Sequence, residues 1–219
     1  MDASATAPYK PGLEGVLAGE SAICSVDADA GLLYRGYDIH DLATRTQFEQ
    51  VAWLILRGDL PSPSELASFK KEISSQRAIP DAVVAMLKLF PNSAHPMDLL
   101  RTGVSMLGSF DPDLNDHSHD ANMRKSIRLL ARMPTLTAAG HRIKNGHEHI
   151  APRADLSNSA NFLYTLTGKE PEAWRVQAMD VLFALYAEHE FNASTFAARV
   201  TASTMADMYA AITTAIGTL

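Results

Sequence analysis

The stretch Tyr186-Ala-Glu-His-Glu-Phe-Asn-Ala-Ser-Thr-Phe-Ala-Ala-Arg-Val200 is a polar break between two apolar segments. Before the break, apolar residues recur every three or four positions, which predicts a helix over residues 172–188. After it, Ser194 is a candidate N-cap for a helix over residues 195–216. His189 therefore lies at the end of a buried helical face, where an imidazole can reach a concave surface.

The same helical spacing continues outward from this break over most of the chain. Gly58 and Pro61 mark the end of one helix, and Ser62 with Glu65 resembles the capping pattern that begins the next. The predicted helices lie at residues 48–56, 62–74, 81–90, 97–109, 122–132, 134–142, 157–167, 172–188 and 195–216. The last of these is rich in alanine, which favours burial between other helices or at a subunit interface.

Strand signals are confined to the beginning of the chain. Residues 22–26 and 31–35 flank a turn-like Asp27-Ala-Asp-Ala-Gly31, which predicts a small hairpin. Closely spaced glycines and a proline in residues 9–16 predict an extended arm. We therefore expect an all-α fold with a minor N-terminal hairpin, in one domain over residues 1–219, with the arm and hairpin at 1–38 and helices at 39–219.

Composition narrows the classes of function. The 219 residues are 47% hydrophobic and carry a net charge of -6, which argues for a globular protein and against nucleic-acid binding. No apolar run is long enough for a membrane span, and no secretory leader is recognisable. Because Cys24 is the single cysteine, an internal disulfide is impossible, and we expect a cytoplasmic location.

The polar residues around His189 permit two interpretations. Asn192, Ser194 and Thr195 gather at one helix break, and polar groups between apolar helices need partners, of which a ligand is one. The same residues also suit an ordinary arrangement in which one helix ends and the next is capped. Spacing alone leaves both interpretations open.

The quoted stretch closely resembles the oxaloacetate-binding segment of citrate synthases and 2-methylcitrate synthases. Further segments resemble that family's signatures in the family's order. They are Pro11-Gly-Leu-Glu-Gly-Val16, Leu33-Tyr-Arg-Gly-Tyr-Asp-Ile39, Gly58-Asp-Leu-Pro61, His95-Pro-Met-Asp-Leu-Leu-Arg-Thr102, Met133-Pro134 and Asn161-Phe-Leu-Tyr164. The resemblance implies the large helical domain of the citrate synthase fold, without its C-terminal small domain, and a homodimer.

The resemblance also implies a reaction, in which the carbon beside an acyl-coenzyme A thioester attacks the ketone of oxaloacetate before the thioester is hydrolysed. By similarity, His189 contacts oxaloacetate, Asn192 shapes the pocket, and Ser194 orients an enol-stabilising histidine that this chain lacks. The family's aspartate base and substrate arginines are also missing, so the chain alone is predicted to be inactive. The acyl-coenzyme A is a substrate, and no permanent cofactor or metal is expected.

Three functional readings follow from these observations. Citrate synthesis from acetyl-coenzyme A comes first, and 2-methylcitrate synthesis from propionyl-coenzyme A is the close alternative. A non-catalytic helical module that dimerises is the third. The segments His117-Ser-His119-Asp120 and His147-Glu-His149 contain metal-binding residue types, but they lack the helix-face spacing of a zinc site and are predicted to be solvated loops.

Overall fold

The computed structural model describes residues 19–27 and 31–219. The predicted arm at residues 9–16 lies outside these residues, as does the middle of the predicted turn. A three-stranded antiparallel sheet opens the described part, with strands β1 (Cys24–Asp27), β2 (Gly31–Tyr34) and β3 (Tyr37–Asp38) in the order β1-β2-β3. The predicted hairpin is confirmed, and β3 adds a short third strand.

The third strand depends on a tight turn. Arg35 and Gly36 link β2 to β3 and have φ angles of 53° and 87°. Positive φ at both central residues is the geometry that matches the twist of paired strands in a two-residue hairpin. A strand of two residues is too short to show an alternating pattern, so the sequence did not reveal it.

Helices form the rest of the described chain and agree with the predicted all-α class. Gly58 ends the second helix in a left-handed conformation, and Ser62 begins the third in a reciprocal cap with Glu65, as the sequence predicts. The helices are α1 (Ile39–Arg45), α2 (Phe48–Arg57), α3 (Pro63–Ser75), α4 (Asp81–Leu87), α5 (Pro96–Gly108), α6 (His119–Lys144), α7 (Asn158–Thr167), α8 (Ala173–Leu185), α9 (Ala193–Ser203) and α10 (Met208–Gly217).

Helix α6 corrects one expectation, because the predicted helices at residues 122–132 and 134–142 are one continuous helix. Pro134 lies inside it and lacks the N–H that would bond one turn back. The buried side chains of Ile127, Leu129 and Leu136 lie on both sides of the proline. Their packing against neighbouring helices continues across it and outweighs the lost hydrogen bond.

The final helix is a second correction, because the helix predicted over residues 195–216 is two helices, α9 and α10. Met205 between them has a φ of 63°, which a right-handed helix does not allow. Asp207 then caps α10 by accepting a hydrogen bond from the backbone N–H of Ala210 at 3.0 Å. An alanine-rich pattern does not mark such a break, since alanine favours a helix at every position.

Three apolar clusters form the core. One joins α4, α5, α6 and α10, a second joins the sheet with α1, α2 and α8, and a third joins α2, α3 and α6. Helix α9 contributes no buried residue to any of them, whereas α10 buries Tyr209, Ala211 and Ile216. Helix α10 is therefore buried between other helices, which is one of the two predicted alternatives, while burial of α9 at a subunit interface stays a prediction.

A buried ionic cluster fixes α10 against α5 and α6. Asp111 accepts two hydrogen bonds from the Arg128 guanidinium, both at 2.7 Å, and one from the Tyr209 hydroxyl at 2.5 Å. Tyr209 also packs closely on Gly108, where an added Cβ would lie 3.0 Å from the tyrosine Cβ. The tyrosine side of α10 is thus held by both charge and close contact.

None of the helices in the described residues is long and apolar enough to cross a membrane.

Candidate functional site

Helix α8 positions the residues that lead to His189. The carboxylate of Asp180 accepts a hydrogen bond from the Phe48 backbone N–H at 2.9 Å and another from the Ser159 hydroxyl at 2.7 Å. These bonds tie α8 to α2 and α7. The end of α8, and with it the turn toward α9, therefore has a fixed starting point.

The turn between α8 and α9 is held by the small sheet. The fully buried Tyr34 on β2 donates its hydroxyl to the carbonyl oxygens of Leu185 at 3.1 Å and Glu188 at 2.8 Å, and the Glu188 N–H approaches the same hydroxyl at 3.3 Å. The Tyr34 hydroxyl is thus the hydrogen-bond partner of three main-chain groups that come just before His189 in the chain. The segment needs this support because α9 buries no residue.

Glu190 is where the chain changes direction. Its φ is 70°, a left-handed conformation that costs a non-glycine residue roughly 1 kcal/mol or more. Its N–H donates to the side chain of Glu188 at 2.6 Å.

On the sheet side, burial raises the pKa of the Cys24 thiol despite a hydrogen bond with the Glu190 backbone. The buried thiol packs in the apolar cluster that joins the sheet with α1, α2 and α8.

Asn192 determines the hydrogen-bonding state of His189. As the N-cap of α9, its side-chain oxygen accepts from the Thr195 N–H at 2.7 Å. The amide nitrogen then faces His189 Nε2 at 3.0 Å and donates to it. With Nε2 accepting, the ring proton lies on Nδ1, which has no hydrogen-bond partner among the described residues and can donate to a ligand oxygen.

His189, Asn192 and Ser194 share one cleft of about 820 Å³ with residues of α9 and α10. His189 is exposed at its edge, while Asn192 and Ser194 are half-buried. Small side chains form much of the wall, because Ala198, Ala202, Ala206, Ala211 and Ala215 line it. In this part of the chain the small residues provide open space rather than close helix packing.

The cleft contains residues that the sequence reasoning did not select. His117 and Asn122 line it from the start of α6, and Arg199 lines it from α9. His117 was interpreted as part of a solvated loop, and it is exposed, but the fold brings that loop to the same cleft as His189. About 70 positions of chain separate the two histidines, so no local pattern links them.

A second, smaller cleft adjoins His189 on its other side. It measures about 470 Å³ and is lined by residues of the sheet and of the α8–α9 turn, among them Ser21, Cys24, Glu190 and Phe191. His189 and Asn192 line both clefts. The imidazole thus stands at the boundary between two open spaces.

The other histidines of the two segments with metal-binding residue types lie elsewhere. His119 begins α6, and His147 and His149 follow its end. Burial, followed by the charge of Arg142, lowers the pKa of His149. Within the residues described, no three His, Cys, Asp or Glu side chains are arranged to hold a metal ion.

Comparisons with known proteins show which family the chain belongs to. The family model described as citrate synthase, C-terminal domain, matches residues 12–219. The citrate/2-methylcitrate synthase of Bacillus subtilis (strain 168) is 44% identical over 212 residues, which cover 96% of this chain and 57% of that protein. The 2-methylcitrate synthase of Shewanella oneidensis is 45% identical over 210 residues, which cover 95% of this chain and 55% of that protein.

Solved structures resemble the fold over nearly its whole length. A ternary complex of citrate synthase from Thermoplasma acidophilum with carboxymethyl coenzyme A and oxaloacetate superposes with a TM-score of 0.92 at 27% identity. The match covers 98% of this chain and 56% of that one. The chain thus spans a little over half the length of the proteins it matches. Sequence and fold together show that the chain belongs to the citrate synthase family.

Proposed function

We propose that the protein to which this region belongs condenses acetyl-coenzyme A with oxaloacetate and hydrolyses the product to citrate and coenzyme A. The observation that carries this proposal is His189, whose free Nδ1–H stands at the edge of a cleft on the segment that resembles the family's oxaloacetate-binding motif. The Thermoplasma acidophilum relative supports it, since that structure contains oxaloacetate and a coenzyme A analogue. Propionyl-coenzyme A is the alternative donor, because relatives are named for both activities.

His189 has a defined role in this proposal. A hydrogen bond from Nδ1 to the ketone oxygen withdraws electrons from the carbonyl carbon and makes it a better target for a carbon nucleophile. Asn192 is a positioning residue that fixes the donating tautomer. Ser194, half-buried in the first turn of α9, orients the enol-stabilising histidine that the family resemblance calls for.

The 219-residue chain by itself is proposed to be inactive. Condensation needs a base to remove a proton from the acyl methyl group, and in this family the base is an aspartate. Among the described residues that line the cleft there is no aspartate or glutamate. The cleft can therefore hold and polarise a ketone without generating the nucleophile.

The role of His189 is tested by calorimetric titration of the complete gene product with oxaloacetate. We expect His189→Ala to weaken binding roughly tenfold, as the loss of one well-placed hydrogen bond does. His189→Asn should fall between the two, since its amide can replace the Nδ1 donor. His147→Gln, an exposed histidine outside the cleft, is the matched control. Equal affinities for all four proteins would refute the role of His189.

The acyl donor is tested with the complete gene product. Release of free thiol is measured with oxaloacetate and either acetyl- or propionyl-coenzyme A. A higher kcat/KM for the acetyl donor supports citrate synthesis. Preference for the propionyl donor would replace it with 2-methylcitrate synthesis, and release of thiol from neither would refute condensation.

A dimeric assembly is proposed from the apolar side chains that α8, α9 and their flanking turns expose. Tyr186 is 82% exposed, Val200 51% and Met205 68%. Large apolar groups left exposed by consecutive elements favour a surface that a partner covers. Light scattering coupled to gel filtration should give twice the chain mass. A dimer that fails to bind oxaloacetate would favour the non-catalytic module instead.

A further inference from the structure

Arg199 is held in a defined position beside the cleft. Its guanidinium carbon lies 4.5 Å from the centroid of the Phe191 ring. On the other side it approaches the backbone of Gly19, where an added Cβ would lie 3.0 Å from Arg199 Nη2. The ring and the glycine together restrict a side chain that is otherwise exposed.

The charge of Arg199 is not neutralised within the described chain. No side-chain carboxylate of a described residue forms an ion pair with it. No side-chain carboxylate lines the larger cleft, whereas Glu190 lines the second cleft together with Phe191 and Gly19. Arg175 differs, because it also contacts an aromatic ring, that of Trp174, but pairs with Glu172 at 3.1 Å. Arg199 is likewise the one lining residue in the described chain with a permanent positive charge.

We propose that Arg199 binds an oxyanion of the substrate that enters this cleft. This rests on the proposed function, whose reactants carry two kinds of oxyanion, the carboxylates of oxaloacetate and the phosphates of an acyl-coenzyme A. A guanidinium offers parallel N–H donors that match the paired oxygens of either group. Phe191 is a positioning residue, because its ring holds the guanidinium in place before the anion arrives and so reduces the entropy lost on binding.

The test is calorimetric titration of the complete gene product with three probes used separately: oxaloacetate, coenzyme A and pyrophosphate. The variants are Arg199→Gln, Arg199→Lys and Phe191→Leu, with Arg175→Gln as the control for loss of an exposed, ring-stacked arginine. We expect Arg199→Gln to weaken one physiological probe and pyrophosphate roughly tenfold, with no change in the midpoint of thermal unfolding. Arg199→Lys should restore part of the affinity, and Phe191→Leu should cause a smaller loss.

The probe that responds identifies the source of the oxyanion. A loss confined to oxaloacetate assigns Arg199 to a carboxylate, and a loss confined to coenzyme A assigns it to a phosphate. The difference between wild type and Arg199→Gln should also shrink as salt is added, because the contact lies near solvent. A merely structural arginine would instead lower the unfolding midpoint and leave the salt dependence unchanged.

Two failures are distinguishable. If wild type binds oxaloacetate in a His189-dependent manner while Arg199→Gln binds every probe normally, the role of Arg199 is overturned and the proposed function stands. If wild type binds neither oxaloacetate nor coenzyme A but binds pyrophosphate only when Arg199 is present, the proposed function fails and the anion site remains. Failure to bind any of the three probes overturns both.

Discussion

The two walls of the cleft are held by different kinds of interaction. Helix α10 is fixed from behind by the buried cluster of Asp111, Arg128 and Tyr209. The opposite wall, which carries His189 and α9, has no buried residue of its own and depends on main-chain hydrogen bonds to Tyr34. The α10 wall is therefore the more strongly stabilised one, although it carries none of the candidate binding residues. The α9 wall carries those residues, and a small change is enough to alter it.

Among these predictions, disruption of the buried cluster behind α10 should cause the largest loss of stability. Asp111→Ala leaves the nearly buried Arg128 with Asp113 as its counter-ion among the described residues and the Tyr209 hydroxyl without its acceptor. Removal of one partner of a buried pair costs about 3–5 kcal/mol, so the free energy of unfolding in urea should fall by that amount. Asp98→Asn, which breaks an exposed pair with Arg101, should cost at most about 1 kcal/mol. Equal losses would contradict this account of the wall.

The same cluster predicts how stability depends on pH. Burial alone would raise the pKa of Asp111, but hydrogen bonds from Arg128, Tyr209 and the Asp113 backbone outweigh it and hold the pKa below its usual value. A carboxyl with a lowered folded pKa contributes stability that is fully present above its unfolded pKa of about 4 and is lost as the pH falls below it.

Tyr209 acts at the other end of the pH scale. Burial and then the hydrogen bond to Asp111 raise its pKa, so its contribution is lost as the pH rises above about 10. Urea denaturation between pH 3 and pH 11 should show both losses in wild type. Asp111→Asn should weaken the acid loss, and Tyr209→Phe should remove its part of the alkaline one. Unchanged profiles in both variants would show that the cluster does not control them.

A change that weakens the α9 wall should reduce the free energy of unfolding less and the affinity for oxaloacetate more. Tyr34→Phe removes a buried hydroxyl that bonds Leu185 and Glu188, and about 1–3 kcal/mol should be lost. Hydrogen exchange of the amides of residues 187–191 should accelerate, and oxaloacetate should bind less tightly. Tyr37→Phe is the control, since that exposed hydroxyl bonds only the side chain of Asp59 among the described residues. An equal effect of both changes would argue against a special role for Tyr34.

The smallest effect on stability is expected at Asn192. Asn192→Asp keeps an N-cap acceptor and adds a negative charge at the start of α9, so the free energy of unfolding should change by less than about 1 kcal/mol. The amide donor to His189 Nε2 is lost, and oxaloacetate affinity should fall. Affinity that stays at the wild-type level would show that the tautomer of His189 does not depend on Asn192.

The sequence predicts elements whose signals are local. The end of α2 at Gly58 and the start of α3 at Ser62 follow from capping residues, and the helical class follows from apolar spacing. The break at Met205 was missed because its left-handed backbone has no residue-type signal. The continuity of α6 through Pro134 was missed because tertiary packing overrides a local preference. The single-domain assignment and the cytoplasmic location stay predictions.

The residues of the candidate site likewise differ in whether a local pattern reveals them. His189, Asn192 and Ser194 lie within six residues, so one motif reveals them together. His117 and Arg199 become neighbours of the cleft only through folding, and Tyr34 acts on Glu188 across 154 positions of sequence. Such long-range pairs leave no trace in the spacing of a single chain. The structural roles of the three motif residues therefore had to come from geometry, while their catalytic roles stay proposals.

The close packing of α10 on Gly108 affects the size of ligand that the cleft can admit. The helix rests on a glycine through the ring of Tyr209, while its other face presents Ala211 and Ala215 to the cleft. A Cβ at position 108 would lie 3.0 Å from the tyrosine Cβ, so Tyr209 would have to shift by a few tenths of an ångström on the helix that carries these alanines. The width of the cleft thus depends partly on the packing of α10 against α5. Residues that contact no ligand therefore help to determine which ligands fit.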